Sequence, residues 1–237
     1  MKSPAPRATS QPETTLRWTL PVKQSRAGKT RDRLLAAGFK LLRRKHFEEL
    51  SVADIARAAG CAVGSFYLRF ADKDQYFLAI AETRRVQSRG QLETCYAGAT
   101  LDSIVTRAVG RDLEFVLEHP NLWRAALRKG TTDPDFWQEF RELGRHSVDR
   151  FIECYAGLLG RPLVNAEIEA VRFAFQVLRG TLNNTLMNQP GPLQLEDPQF
   201  RRQIERAFRL VAGIEAAGKS AARPAKPALR KRKPARS

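Results

Sequence analysis

The sequence predicts an all-α protein, and three observations support this prediction. Between residues 27 and 215, apolar residues recur at spacings of three and four, which is the period of an amphipathic helix. The alternation of apolar and polar residues that is typical of half-buried strands does not occur there. Breaks at Gly60 and at residues 119–120, 160–162 and 189–192 divide the region into segments of helical length. We therefore expect a helical bundle without a sheet.

Nine helices are expected from this pattern. They span residues 30–44, 51–58, 62–70, 73–91, 101–118, 122–129, 134–159, 165–187 and 198–216. The preceding residues, 1–26, hold prolines among serines and threonines, so we expect a flexible N-terminal arm. Residues 217–237 consist mostly of alanine, proline, lysine and arginine, and a segment with so little to bury is expected to be a disordered tail.

The segment from Ser51 to Gly60 carries the signals of a short, capped helix. The Ser51 hydroxyl is placed to accept a hydrogen bond from the Asp54 amide, and the Asp54 carboxylate can accept one from the Ser51 amide, which is a capping box. Gly60 ends the helix because it tolerates the left-handed conformation. A second short helix begins a few residues later. Two short helices joined by a tight glycine turn are typical of the helix-turn-helix, which binds duplex DNA.

The second helix of this motif has a core side and an outward side. At about 100° per residue, Ala62, Phe66 and Phe70 fall on one side and are expected in the core. The opposite half carries Gly64, Ser65, Tyr67 and Leu68, with Val63 and Arg69 on the flanks. Outward tyrosine and arginine side chains suit phosphate contacts, and a glycine lets the backbone approach DNA closely. Lys73 follows at the start of the next helix, where its ammonium and nearby amides can meet a phosphate.

The segment from residue 29 to residue 80 resembles the tetracycline-repressor (TetR) family of transcriptional regulators. The resemblance rests on Leu50-Ser51-Val52-Ala53-Asp54-Ile55-Ala56, Ala59-Gly60, Gly64-Ser65-Phe66-Tyr67, Phe70 and Lys73. It implies a helix-turn-helix DNA-binding domain at 27–87, with the motif itself at 50–69. It also implies that residues 88–216 form a helical domain for ligand binding and dimerisation.

The resemblance implies a DNA-contact role for seven residues. They are Ser51 as cap and phosphate contact, Val63 and Ser65 at base- or backbone-reading positions, Gly64 at a close backbone approach, Tyr67 and Arg69 on phosphates, and Lys73 as a clamp on the DNA backbone. Two positions at the start of the second helix depart from the family pattern. Ala62 stands where a hydroxyl residue is common, and Val63 is apolar where polar residues are frequent, which favours a thymine methyl as its contact. We expect the sequence preference of this protein to differ at these positions.

The resemblance further implies a homodimer and a cavity for a small molecule. Candidates for the cavity lining are Trp123, Trp137, Phe140, Phe173 and Gln176. The last two long helices carry apolar residues at helical spacing, which suits a four-helix dimer interface; the candidates are Val171, Leu178, Leu182, Ile204, Phe208 and Val211. A two-fold dimer presents two reading helices to a palindromic operator. We therefore expect a ligand-responsive repressor with an unidentified small-molecule effector and no cofactor.

The net charge indicates a polyanionic partner. The chain holds 41 basic and 25 acidic residues, a formal net charge of +16. From Ala216 to Ser237 there are eight basic residues and no acidic ones, so half of this charge lies in the tail. The tail is either a solvated extension or a source of sequence-independent DNA affinity. The second interpretation leaves an alternative open, an architectural protein that coats DNA with little sequence preference.

Other functional classes find little support in the sequence. Cys61, Cys95 and Cys154 are far apart, which predicts neither a disulfide framework nor a metal site and favours the cytoplasm, in association with the nucleoid. We find no signal peptide and no apolar run of membrane length, so no membrane partner is expected. A further alternative, an enzyme with a DNA-binding head, would need a nucleophile with a base, paired carboxylates or a metal set. No such motif is present, and we expect no catalytic residue.

Overall fold

The structure, a computed structural model, describes residues 25–214, and these residues form a helical bundle. Its helices are α1 (Ser25–Leu42), α2 (Val52–Ala58), α3 (Val63–Tyr67), α4 (Lys73–Leu92), α5 (Ile104–Glu118), α6 (Pro120–Thr132), α7 (Pro134–Leu159), α8 (Asn165–Asn188) and α9 (Pro198–Ala212). A 3-10 turn, Phe47–Glu49, lies between α1 and α2. No strand occurs between residues 25 and 214, and the predicted all-α class is confirmed. The predicted tail, and all of the predicted arm except its last two residues, lie outside the described residues.

Most helices begin and end within a few residues of the predicted bounds. The largest difference at an N-terminus is that α1 begins at Ser25 rather than at residue 30. Helix α3 ends at Tyr67 rather than at residue 70, because the Arg69 amide donates to the Phe66 carbonyl (2.8 Å) and tightens the chain into a turn. Helix α6 already begins at Pro120, since a proline at the first helical position has a suitable φ and loses no hydrogen bond.

A first hydrophobic core lies among α1, α2, α3 and the first half of α4, a unit that we call the head. Its fully buried large side chains include Leu34, Leu42, Leu50, Ile55, Phe66, Phe70, Tyr76 and Ile80. The Tyr76 hydroxyl donates to the Leu34 carbonyl (2.7 Å) and so joins α4 to α1. Gly38 permits this contact, because a Cβ atom there would overlap the Tyr76 hydroxyl and the Ile80 Cδ1 atom.

A second core lies among α5, α7, α8 and α9, which we call the body. It is centred on Phe151, Phe175 and Phe208, whose rings meet edge to face at centroid distances of 4.9–5.7 Å. The predicted boundary between residues 87 and 88 falls inside α4, which continues unbroken from the head to Leu92. Helix α6 also joins the two cores, because its Leu122 side chain packs in the core of the head. Continuous helices therefore connect the head and the body.

Candidate nucleic-acid interface and internal cavity

The N-terminus of α2 is fixed by the predicted capping box. The Asp54 amide donates to the Ser51 hydroxyl oxygen (3.0 Å), and the Ser51 amide donates to the Asp54 carboxylate (3.3 Å). The Ser51 hydroxyl also donates to this carboxylate (2.7 Å). These hydrogen bonds hold the pKa of Asp54 below its ordinary value, and the one from the Ser51 hydroxyl has the largest effect. The cap therefore stabilises the start of α2, and Ser51 lies exposed beside it.

The turn between α2 and α3 depends on Gly60. Its φ of 62° lies in the left-handed region, as the sequence predicts. The Cys61 amide donates to the Ala56 carbonyl (3.0 Å), which closes the end of α2. The Arg33 guanidinium donates to the Gly60 carbonyl (2.7 Å) and ties the turn to α1. No local pattern predicts this contact, because 27 residues separate its partners.

Helix α3 is held from behind by aromatic side chains. Phe66 and Phe70 are fully buried, and the Phe66 ring lies 5.2 Å from the Tyr76 ring of α4. The centroids of Phe70 and Tyr76 are 5.0 Å apart. The predicted core role of both phenylalanines is confirmed. Helix α3 has five residues, and this packing fixes the direction of its outer side.

The outer side of α3 carries most of the predicted contact residues. Val63 is 43% exposed and Tyr67 52% exposed. A Cβ atom at Gly64 would meet nothing within 4 Å, so the backbone there is open to a partner. Ser65 lies at the edge of this surface and is partly buried. We call Val63, Gly64, Ser65 and Tyr67 the outer face of α3.

Ala62 lies outside the core, in contrast to the prediction. It is exposed and has extended backbone angles (φ −71°, ψ 153°) as the residue that precedes the first turn of α3. A helical wheel places a side chain correctly only within a helix, and Ala62 does not belong to it. Its side chain also makes no capping hydrogen bond, as expected for a residue without a hydroxyl.

The two predicted cations have different surroundings. The Arg69 guanidinium follows α3 and donates to the Leu68 carbonyl (3.0 Å). The Lys73 ammonium donates to the Glu48 carbonyl (3.1 Å) and lies 4.8 Å from the centre of the Phe47 ring. Lys73 is the first residue of α4, as predicted, but its ammonium here is bound to the 3-10 turn. A phosphate contact by Lys73 therefore requires it to leave or share the Glu48 carbonyl.

A cavity of about 630 Å³ lies between α5, α6, α7 and α8. Four of the five predicted lining residues surround it, namely Trp123, Trp137, Phe140 and Gln176. Phe173 does not line it, because its side chain lies on the outer side of α8 and is 56% exposed. Phe175 lines the cavity instead. Because residues two positions apart on a helix are rotated by about 200° about its axis, Phe173 and Phe175 lie on opposite faces of α8.

An ion-pair network forms part of the cavity wall. The Asp112 carboxylate is buried, accepts a hydrogen bond from Arg179 Nε (2.8 Å) and pairs with Arg111. Burial alone would raise the pKa of Asp112, but the charges of Arg111 and Arg179 outweigh it and hold this pKa below its ordinary value. Arg179 also donates to the Gly144 carbonyl (3.1 Å) and to the Ser147 hydroxyl. No spacing in the sequence indicates this network, since 67 residues separate Asp112 from Arg179.

The residues predicted at a dimer interface lie mostly in the protomer's own core. Val171, Leu178, Leu182, Ile204 and Phe208 are buried in the body, and Val211 is partly buried. The five buried side chains fill the protomer's own core and leave little surface for a partner, and the dimer interface itself stays a prediction. Apolar periodicity marks the packed side of a helix but not what it packs against. The exposed apolar side chains of α8 and α9 are instead Phe173, Met187 and Leu210, of which Leu210 is 73% exposed.

The head contains a helix-turn-helix, and comparison with known proteins shows which family this part of the chain resembles. Residues 34–80 match the family of bacterial regulatory proteins described as the tetR family. An uncharacterized HTH-type transcriptional regulator of Haemophilus influenzae is 30% identical over 129 residues, which cover 53% of this chain and 60% of the relative. The predicted resemblance of the head to the TetR family is confirmed. The match lies within the head, and the chain spans about 60% of the length of this relative.

Solved structures share the fold beyond the head. A TetR-family transcriptional regulator from Streptomyces coelicolor superimposes with a TM-score of 0.57 at 20% identity, covering 81% of this chain and 82% of that one. A TetR transcriptional regulator from Rhodococcus sp. RHA1 gives a TM-score of 0.50 at 20% identity, with 78% and 97% covered. These similarities concern the fold and extend over both the head and the body.

No helix between residues 25 and 214 is long and apolar enough to span a membrane. Within the same range, no three His, Cys, Asp or Glu side chains are grouped closely enough to hold a metal ion. Cys61, Cys95 and Cys154 are free thiols.

Proposed function

We propose that this chain is a TetR-type transcriptional regulator, a homodimeric repressor that binds a palindromic operator through α3 and is released by a small molecule. The observation that carries the proposal is the arrangement of α3. Phe66 and Phe70 anchor it from behind, while Val63, Gly64 and Tyr67 are exposed to solvent. A rigid, short helix with an open outer side is the form that enters a major groove.

The DNA contacts proposed from the sequence are compatible with these positions. Val63 is exposed at the first turn of α3, where its methyl groups can meet a thymine methyl. Tyr67, which is exposed, and Arg69, which is partly buried, follow at the other end of the helix, and we propose phosphate contacts for both. Ser51 lies exposed at the start of α2, where a phosphate can approach the helix N-terminus. Lys73 completes the set once its ammonium exchanges the Glu48 carbonyl for a phosphate.

We propose that the dimer forms on the outer sides of α8 and α9. The support is that these two helices pack against each other and each carries a large apolar side chain that is more than half exposed, Phe173 on α8 and Leu210 on α9. Phe173→Glu and Leu210→Glu should shift the protein from dimer to monomer in sedimentation velocity. Val86→Glu is the matched control, because Val86 is also an exposed apolar residue but lies on α4, outside the two helices of this surface. A dimer that survives both substitutions would contradict this interface.

We propose that ligand binding in the cavity acts on the head through α6. Trp123 of α6 lines the cavity, and the preceding residue, Leu122, packs in the core of the head. On the same helix, the Arg128 guanidinium donates to the Glu48 carboxylate (3.0 Å) beside the start of α2. A ligand that moves Trp123 therefore moves a helix that touches the head. The expected coupling free energy is about 1–3 kcal/mol, which is typical for two linked sites.

The decisive experiment is selection of bound duplexes from a random-sequence pool by the full chain. We expect one enriched palindromic sequence, and we expect a promoter that carries it to be repressed in a reporter strain. Enrichment of no sequence, despite tight binding, would contradict an operator-specific regulator.

The architectural alternative rests on the basic segment from Ala216 to Ser237, which holds eight basic residues and no acidic ones. A chain that ends at Ile214 distinguishes the two functions. An operator-specific regulator should retain its selected site and lose only part of its affinity, mainly at low salt. An architectural protein should lose most DNA binding with this segment.

A further inference from the structure

We infer that the ligand of the cavity is an elongated organic anion with an aromatic body, an inference that rests on the proposed function of the cavity as the effector site. The cavity has an aromatic end and a guanidinium end. Both lie along α7, where Trp137 and Asp149 are separated by about 18 Å at a rise of 1.5 Å per residue. A volume of about 630 Å³ suits one small organic molecule.

The aromatic end is formed by four rings in mutual contact. Trp123 lies 5.3 Å from Trp137 and 5.4 Å from Phe140, and Phe115 meets Trp123 edge to face at 5.0 Å. The Trp123 indole N–H donates to the Asn183 side-chain oxygen (2.9 Å), so this polar group is satisfied without a ligand. These side chains therefore offer flat apolar surface, which suits an aromatic ring.

The guanidinium end carries an excess of positive charge. Five arginines and two aspartates line the cavity, which leaves a net charge of +3. Asp112 is engaged by Arg111 and Arg179, and Asp149 lies 3.9 Å from Arg172. Arg145 forms no ion pair within residues 25–214. Neither does Arg141, but Arg141 lies one turn after Trp137, at the aromatic end, and donates to the Pro134 carbonyl (3.1 Å), so the guanidinium end keeps a net charge of +2.

A buried donor in this wall also lacks an acceptor. The Nε atom of Arg111 is buried and has no hydrogen-bond partner among the described residues. An unsatisfied buried donor of this kind is destabilising, and an acceptor on a ligand can offset that loss. Carboxylates and similar planar anions match the geometry of guanidinium groups. A cation, in contrast, would meet the repulsion of the net positive wall.

Three probes that share one elongated ring system test the inference. They are 4-biphenylacetate, its neutral amide, and 2-(4-biphenyl)ethylammonium, and their affinities for the full-length protein are measured by calorimetric titration. We expect the anion to bind at least tenfold more tightly than the amide, equivalent to about 1.4 kcal/mol, and the cation to bind most weakly. Equal affinity of anion and amide, tighter binding of the cation, or no binding of any probe would overturn the inference.

Three variants show whether the cavity charges cause the preference. Arg145→Gln, an exposed position where the fold should tolerate the change, should weaken binding of the anion at least threefold and leave the amide unaffected. Asp112→Asn should strengthen binding of the anion, because it removes a negative charge from the cavity wall. If Asp112 had only a structural role, the substitution would weaken binding of both the anion and the amide. Arg89→Gln makes the same change of charge on α4, outside the cavity, and should alter neither.

The same probes separate this inference from the proposed function. Each is added to the protein bound to its selected duplex, and the fraction of bound DNA is measured by fluorescence anisotropy. If the anion binds tightly but DNA is not released, the cavity binds anions as inferred, but its ligand does not control DNA binding as proposed. If the amide or the cation releases DNA at a lower concentration than the anion does, the cavity ligand controls DNA binding as proposed, but the inference that this ligand is an anion is overturned.

Discussion

The contact between Gly38 and Tyr76 provides a quantitative test of the packing that orients α3. Tyr76 supports both anchoring phenylalanines of α3, and its hydroxyl donates to the Leu34 carbonyl at 2.7 Å. In Gly38→Ala, the new methyl group would overlap the Tyr76 hydroxyl and the Ile80 side chain. The substitution therefore forces α1 and α4 apart or displaces Tyr76, and either change disturbs the support of α3.

The expected loss of stability follows from three contributions. Alanine in place of glycine favours the helix by about 1 kcal/mol. Overpacking costs about 1–3 kcal/mol. Displacement of the buried Tyr76 hydroxyl from its acceptor costs about 1–3 kcal/mol more. Gly38→Ala should therefore lower the free energy of unfolding by about 1–5 kcal/mol.

Urea unfolding followed by circular dichroism at 222 nm measures this change. Gly90→Ala is the matched control, because Gly90 lies in α4 with nothing within 4 Å of an added Cβ atom. The control should be unchanged or more stable by up to about 1 kcal/mol. If Gly38→Ala unfolds at the same urea concentration as the wild type or at a higher one, the close approach of α1 to Tyr76 is refuted.

Three further predictions follow from the caps, the ion pairs and the cations. Ser51→Ala should lower the free energy of unfolding by about 0.5–2 kcal/mol, because α2 loses its cap; a urea midpoint equal to the wild type would contradict this. Hydrogen bonds from Arg161 lower the pKa of Glu167 to about 2. The ionised Glu167 therefore stabilises the fold fully above pH 4.5, and this contribution is lost as the pH falls through 2. The melting temperature should consequently fall less between pH 6 and pH 2 in Glu167→Gln than in the wild type. Arg69→Ala and Lys73→Ala should each weaken binding to all duplexes and reduce the slope of log affinity against log salt by about 1, measured by anisotropy across salt concentrations; unchanged slopes would exclude phosphate contacts.

The parts of the head that the sequence predicts are those set by neighbouring residues. The capping box at Ser51 and the left-handed turn at Gly60 lie where their residue types require them, because both depend on contacts within one helical turn. The burial of Phe66 and Phe70 follows from helical period. Ala62 shows the limit, because the wheel assumes helical geometry one residue before the helix begins.

The parts that could not be predicted depend on contacts between distant segments. The periodicity of α8 and α9 identifies packed faces, but Leu178 and Phe208 pack within the protomer rather than across a dimer. The choice between Phe173 and Phe175 in the cavity depends on how α8 is rotated against α7, which composition does not define. The same is true of the pair between Arg179 and Asp112.

The central claim is that the outer face of α3 meets DNA, and one measurement tests it most directly. The affinity for the selected duplex is compared by anisotropy between the wild type, Gly64→Leu and the control Gly90→Leu. Both glycines lie in helices with open space around a Cβ atom, so both variants should unfold at the urea concentration of the wild type or at a higher one. We predict that Gly64→Leu binds at least tenfold more weakly, a loss of about 1.4 kcal/mol, and that Gly90→Leu binds as the wild type does. Wild-type affinity in a folded Gly64→Leu protein would contradict the claim.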